Sequence, residues 1–433
     1  MAVSGNTPTA QDEQAWEGTG DCLPNAGKHT RVRIALDTSF AGLNQTGVGL
    51  YSKRLAESLR KMQGSRGITS RCYGPACPRR RPRLLGGLYQ EWPTYTQFAL
   101  PLQLAKYRPD VVHSTSHLGP LWGPGQKVVT VHDVIFERYP QDYNPAWLAV
   151  TRALFPKVLA GASAIIADSR STATDLETLY GVQPNRITVI YPGVDEGHFA
   201  PAPTAEIEAT RRKYGLGDGP YVLCLGPWVR RKNIGVVIAA FASLVERLPD
   251  VKLVITGRRA TGMTGFDLEK ALEQSPERVR HNVRAVGHLP RRELRALLQG
   301  ASALAYPSLF EGFGLPPLEA MAAGVPVVAS DAPAVVEATG DAALIAGANA
   351  PADWAEALYQ IITDGTKTAQ LREAGKQRSR SFTWERCAGE TVDLYDRIVR
   401  QSEGNQKSEI RNQISEVRNQ ISEVRSQKIS NKQ

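Results

Sequence analysis

The 433-residue chain has no apolar run near the ~20 residues a helix needs to cross a bilayer, so no stretch reads as a membrane span. Its five cysteines, Cys22, Cys72, Cys77, Cys224 and Cys387, follow no disulfide framework, which fits a reducing compartment. Residues 1–30 are polar, hold acids and lack an apolar centre. They read as a disordered extension, not a signal peptide, and the chain reads as cytoplasmic. Asp-x-Asp, a common metal-holding pair, occurs nowhere. Acid is also scarce across residues 28–108, where 15 Lys/Arg stand against 3 Asp/Glu. The centre of that stretch is Arg79-Arg80-Arg81-Pro82-Arg83. No nucleic-acid recognition motif accompanies the charge, which reads either as a solvated basic face or as a surface for anionic lipid or a lipid-linked phosphate acceptor.

What is present is an alternation of apolar strand-like runs with amphipathic helical ones in both halves. Hydrophobic residues make up 42% and charged residues 22% of the chain, an ordinary globular balance. The alternation predicts an α/β fold of two doubly wound parallel sheets facing a cleft. Strands are expected at 31–38, 110–113, 128–131, 162–167 and 187–190 in the first half. Those of the second half fall at 221–226, 251–256, 283–286, 301–307 and 325–329. A linker begins at residues 200–205. Helices are expected at 50–62, 146–159, 169–181, 234–248 and 384–400, among others.

The densest stretch is FEGFGLPPLEAMAAGVPVVAS, residues 310–330. Gly312 and Gly314 make a loop whose backbone a ligand can approach closely, and Pro316-Pro317 suit a helix start. Loop amides at a helix start form an anion site. Glu311 and Glu319 flank it, which makes sense if these acids face neutral hydroxyls. Upstream, Arg230, Arg231 and Lys232 precede the helix expected at 234–248, a placement suited to a diphosphate. His132 ends a strand, where α/β sheets place ligand-binding groups.

Other motifs fail. Gly47-Val48-Gly49 follows the first strand, but lacks the Lys-Ser/Thr of a P-loop. Ser52 also stands where a dinucleotide fingerprint needs its last glycine. His113 and His117 stand four apart after a strand, without the Glu of a metalloprotease helix or a nearby cysteine, so no zinc site is expected.

The Glu-x7-Glu spacing, GFG loop and following GVPVVAS strand resemble the retaining GT-B glycosyltransferases of family 4. So do Arg231-Lys232-Asn233, TGVGxY and PGVD, and the resemblance covers about residues 31–400. It implies a first domain over 31–200 and a nucleotide-sugar-binding domain over 201–383. A helix at 384–402 would cross back to the first domain, and residues 403–433 would form a low-complexity heptad-repeat tail. It places Glu311 and His132 beside the transferred sugar and Glu319 on the nucleotide ribose. Gly47 and Gly49 fall near the donor phosphates, which Arg231 and Lys232 would bind. Gly312, Phe313, Gly314 and Leu315 would meet the donor through loop amides. The TGVG and His-Asp variants look most like mannosyltransferase members, favouring GDP-mannose as co-substrate with no metal or other cofactor. The implied acceptor is a glycan or lipid-linked hydroxyl; the basic stretch 28–108 motivates a peripheral place on the inner face of the cell membrane, and a monomer is favoured. A GT-B nucleotide-sugar epimerase shares the architecture, and product analysis separates the two. A non-enzymatic binding module would be expected to have lost these donor-site residues.

Overall fold

The computed structural model describes residues 32–39, 47–74, 94–258 and 265–430. Short β-branched runs pair in parallel because both their faces are apolar and can be covered by helices. The first sheet holds β1 (Val32–Asp37), β2 (Ile68–Tyr73), β3 (Val111–Ser114), β4 (Gln126–Val131), β5 (Ala164–Ala167) and β6 (Ile187–Val189), in the order β2-β1-β3-β4-β5-β6. The second holds β7 (Tyr221–Cys224), β8 (Lys252–Thr256), β9 (Val283–Gly287), β10 (Ala303–Tyr306), β11 (Val327–Ser330) and β12 (Leu344–Ala346), in the order β9-β8-β7-β10-β11-β12. Counted from its own first strand, that order is 3-2-1-4-5-6, the dinucleotide-domain arrangement.

Alternate residues of each strand feed opposite cores. Ile166 joins Ile34, Leu36 and Val128 on one face of the first sheet, whereas Ile165 joins Val129 and Val131 on the other. Into the first of these cores comes the last helix, Trp384–Ser430, through Cys387, Val392, Tyr395 and Ile398. It crosses from the second lobe at Gly193, where a Cβ would overlap the backbone of Thr383 and Trp384. Asp195 anchors the crossing, accepting from Trp384 Nε1 at 3.2 Å and from Arg54 Nη2 at 2.7 Å. Two Rossmann-like lobes around a cleft, tied by a returning helix, are the GT-B arrangement.

Several elements differ from expectation. The first helix is Gly47–Arg66, so Gly47 and Gly49 lie within its first turn instead of in a turn before it. Residues 40–46, the expected extension at 1–30 and the Arg79–Arg83 cluster lie outside the described residues. A helix at Thr204–Lys213 stands where the linker was to begin. The last helix does not stop near residue 402 but runs unbroken for 47 residues. No proline interrupts it, and its two glycines, Gly389 and Gly404, cost only about 1 kcal/mol each relative to Ala.

Candidate active site

In the second sheet β7 and β10 are neighbours, and the chain leaves them in opposite directions, which opens a crevice at their carboxyl ends. Both connections carry charge into it. After β7 the 3-10 turn Arg230–Lys232 presents Arg231 and Lys232; after β10 the loop presents Glu311. Glu311 Oε1 accepts from Arg231 Nη1 and from Lys232 Nζ, each at 2.7 Å. Arg231 Nη1 also donates to the Phe310 carbonyl at 2.7 Å. Lys232 Nζ donates to Tyr306 Oη at 3.0 Å and lies 4.8 Å from that ring's centroid. Burial alone would raise the Glu311 carboxyl, but Lys232 and Arg231 outweigh it and bring it down to about 2. Both cations are likewise held above their ordinary values by Glu311, against burial. All three stay charged, so the trio by itself carries one positive charge in excess, and Asp133 beside His132 also acts on Arg231.

Glu319 is placed differently. Gly314, at φ +129°, makes the turn that a side chain would strain, and Pro316 and Pro317 open the helix Leu315–Ala322 that carries Glu319. Burial, with Asp195 adding to it and Arg291 opposing, pushes the Glu319 carboxyl up to about 7. Its nearest cationic candidate, His198 Nδ1, is 4.0 Å away. Glu319 is thus the acid of the pair not committed to a protein cation. Phe313 is a core residue: its ring lies 5.4 Å from those of Tyr191 and Phe382, so only its backbone is free to meet a ligand.

Across the cleft His132 follows β4, and both ring nitrogens are occupied. Nδ1 lies 2.6 Å from Asp168 Oδ2 and Nε2 2.9 Å from the Thr115 carbonyl oxygen. Two acceptors require two N–H donors, so the ring is an imidazolium. Burial opposes that charge, but Asp168 and the Thr115 carbonyl outweigh it and raise the His132 pKa. Asp168 was not among the residues expected from sequence, although Asp-Ser follows β5 as His-Asp follows β4. The spaced pair His113 and His117 is structural: His113 contacts Tyr395 Oη and Thr130 Oγ1, and His117 packs among Phe136, Trp147 and Phe155. Burial pushes both down to about 3. Among the described residues no group of three or more His, Cys, Asp or Glu could hold a metal ion.

The lobes touch at Gly312, where a Cβ would overlap the His132 carbonyl oxygen. Glu311 and His132 therefore belong to one site, with Leu315 beginning the adjoining helix. Gly47 and Gly49 open a separate helix of the first lobe.

Residues 46–198 match the family described as Glycosyltransferase Family 4, and residues 206–378 that described as Glycosyl transferases group 1. The chain is a GT-B protein related to these glycosyltransferases. It is 30% identical over 252 residues to a D-inositol 3-phosphate glycosyltransferase of Corynebacterium urealyticum, a match covering 57% of this chain and 59% of that one. It is 28% identical over 271 residues to O-antigen chain mannosyltransferase B of Escherichia coli, covering 62% and 69% respectively. The chain thus spans about three fifths of the length of the first of these relatives. Among solved structures, sucrose-phosphate synthase from Thermosynechococcus elongatus superposes with a TM-score of 0.67 at 21% identity, covering 85% of this chain and 99% of that one. Anabaena Alr3699/HepE in complex with UDP and glucose does so at 0.61 and 17%, covering 84% and 99%. These likenesses are of fold. Among the described residues no helix is long and apolar enough to cross a membrane.

Proposed function

We propose that the chain transfers a sugar from a nucleotide-diphosphate donor to an acceptor hydroxyl, with retention at the anomeric carbon. The observation that carries this reading is the buried Arg231–Glu311–Lys232 cluster, one positive charge in excess, at the crevice between β7 and β10. Such a cluster suits a diphosphate, and the uncommitted Glu319 suits ribose hydroxyls. In the reaction the bond from the anomeric carbon to the diphosphate oxygen breaks. A bond to the acceptor oxygen forms on the same face, and the acceptor's proton passes to the departing diphosphate. Arg231 and Lys232 oppose the charge that builds on that leaving group. Glu311, held ionised at about 2, does not deliver a proton. It anchors both cations beside the sugar, and the turn carrying His132, whose two ring nitrogens are taken by Asp168 and Thr115, faces the sugar from the first lobe. The amides of Gly47 and Gly49, in the first turn of their helix, are assigned to the donor phosphates.

Mannose, as GDP-mannose, is the favoured sugar, supported by the TGVG and His-Asp variants and by the mannosyltransferase relative. The acceptor is a glycan or lipid-linked hydroxyl. A phosphate-bearing acceptor suits the basic stretch 28–108, and inositol 3-phosphate appears in the name of a relative. The same stretch supports reversible docking on the inner face of an anionic membrane, and Phe98 and Leu102 within it are 63% and 66% exposed. Activity should survive EDTA, for want of an Asp-x-Asp.

The reading is tested by NMR of the product's anomeric proton after incubation with GDP-mannose and a hydroxyl acceptor. Retained configuration supports it; an inverted linkage ends it.

A further inference from the structure

Beyond the charged groups, the lobes are joined at the first turn of the helix Arg170–Tyr180, in the first lobe. Ser169 caps that helix in the ordinary way, accepting from Thr172 N at 2.9 Å. A cap needs nothing more, yet the Ser169 hydroxyl also donates across the cleft to the Gly312 carbonyl at 2.6 Å. Thr172 Oγ1 has one hydrogen and sits 3.1 Å from two carbonyls, those of His132 and Gly312. One hydroxyl thus bridges the backbone under the imidazolium and the backbone beside Glu311. The helix's first free amides are taken from the other lobe as well. Glu337, on the second-lobe helix Pro333–Thr339, accepts from Arg170 N at 2.8 Å, from Ser171 N at 3.2 Å and from Tyr191 Oη at 2.9 Å. Helix N-terminal amides usually bond to water or to their own cap, and a carboxylate there is favoured by the dipole.

We infer that Ser169, Thr172 and Glu337 form a clasp between the lobes, and that Ser169 and Thr172 are positioning residues that set the donor loop at Gly312 against His132. The inference rests on the glycosyl-transfer reading for its catalytic consequence, but not for the clasp itself. Arg231, Lys232 and Glu319 all lie in the second lobe, so most of the nucleotide's proposed contacts, those to the Gly47 and Gly49 amides excepted, do not need the clasp. Sugar transfer does, because it needs His132 and the donor loop in register. The absence of a side chain at Gly312 fits this: the two backbones are already in contact.

The test uses the full chain and its Thr172→Val, Thr172→Ser and Glu337→Ala variants. Hydrogen exchange of peptides spanning residues 168–173 reads the clasp without any ligand. Exchange at Arg170 and Ser171 should quicken by about tenfold in Thr172→Val and Glu337→Ala, the scale of one lost hydrogen bond, and Thr172→Ser should restore it. Affinities for UDP and GDP should stay within about twofold of the parent's in all three. Release of nucleotide from GDP-mannose or UDP-glucose should fall by about tenfold in kcat for Thr172→Val and recover in Thr172→Ser. Unchanged exchange and turnover in Thr172→Val would overturn the clasp. A loss of UDP and GDP affinity matching the loss of turnover, unrescued by Thr172→Ser, would reduce it to a general structural contact. Should the parent neither bind either nucleotide nor release one, the glycosyl-transfer reading fails, and exchange alone decides the clasp.

Discussion

Two buried charge clusters lie on opposite sides of the cleft, each at the carboxyl end of a parallel sheet, and they are built differently. In the second lobe one carboxylate, Glu311, is shared by two cations, Arg231 and Lys232. In the first, Asp168 is matched by His132 alone. Counted over these paired side chains, the first arrangement leaves positive charge over and the second leaves none, with Asp133 acting on both Arg231 and His132. On the proposed reading the diphosphate's charge is met mainly by the second lobe, while the His132–Asp168 pair of the first is a hydrogen-bonded group held in place. The comparison separates binding from positioning, and damage to the two clusters should diverge accordingly.

The largest effect should come from the shared cluster. Arg231→Ala or Lys232→Ala removes the excess charge, and kcat/KM should fall by roughly 10²–10³, the scale of losing one oxyanion donor. Steady-state nucleotide release measures it, and an unchanged value in both variants would break the comparison.

Next comes the matched pair. Asp168→Asn leaves the His132 imidazolium buried without its counter-charge, and breaking a buried pair costs about 3 kcal/mol. Urea unfolding should show that loss, whereas UDP and GDP affinities should move by no more than about twofold. Affinity loss as deep as in Arg231→Ala would mean that the His132–Asp168 pair itself binds the anion.

A smaller effect sharpens the role of Glu319. With its carboxyl near 7, it passes from neutral to ionised as pH rises from about 6 to 8. Ribose hydroxyls bond more strongly to a carboxylate than to a carboxylic acid, so nucleotide affinity should rise by about threefold over that range. Titrations of the parent and of Glu319→Gln should differ by this slope, since glutamine does not ionise. Identical slopes would assign the pH dependence to the nucleotide's own phosphate.

The smallest effect is expected from the tail. Deleting residues 407–433 removes only the end of the helix Trp384–Ser430, past its core contacts at Cys387 to Ile398. Activity and solution mass should stay as they were. A lower mass after deletion would show that the Ile and Val repeat mediates assembly.

Much of this was legible because buried parallel strands appear in sequence as short, continuously apolar runs. The helix starts at Pro316-Pro317 and at Ser169 were legible too, since each rests on local backbone chemistry. Other features depend on distant neighbours. Nothing around Phe313 tells that its ring packs between Tyr191 and Phe382. His132 and Asp168 are 36 residues apart and meet only because β4 and β5 are adjacent. Glu311 was expected to face a sugar, and its engagement with both cations follows from the β7–β10 junction, which spacing alone does not reveal. The three-residue strand β12 escaped notice for a simpler reason: Ile345 at its centre is exposed, and three residues carry no periodicity.

The central claim is that the second lobe's excess charge receives a nucleoside diphosphate. Calorimetric titration of the parent and of the Arg231→Ala, Lys232→Ala double variant with UDP and with GDP tests it most directly. The account predicts that at least one nucleotide binds the parent and that its affinity falls by about 100-fold in the double variant, two charge-assisted bonds being lost. Binding of equal strength to both proteins, or of neither nucleotide to the parent, would contradict it.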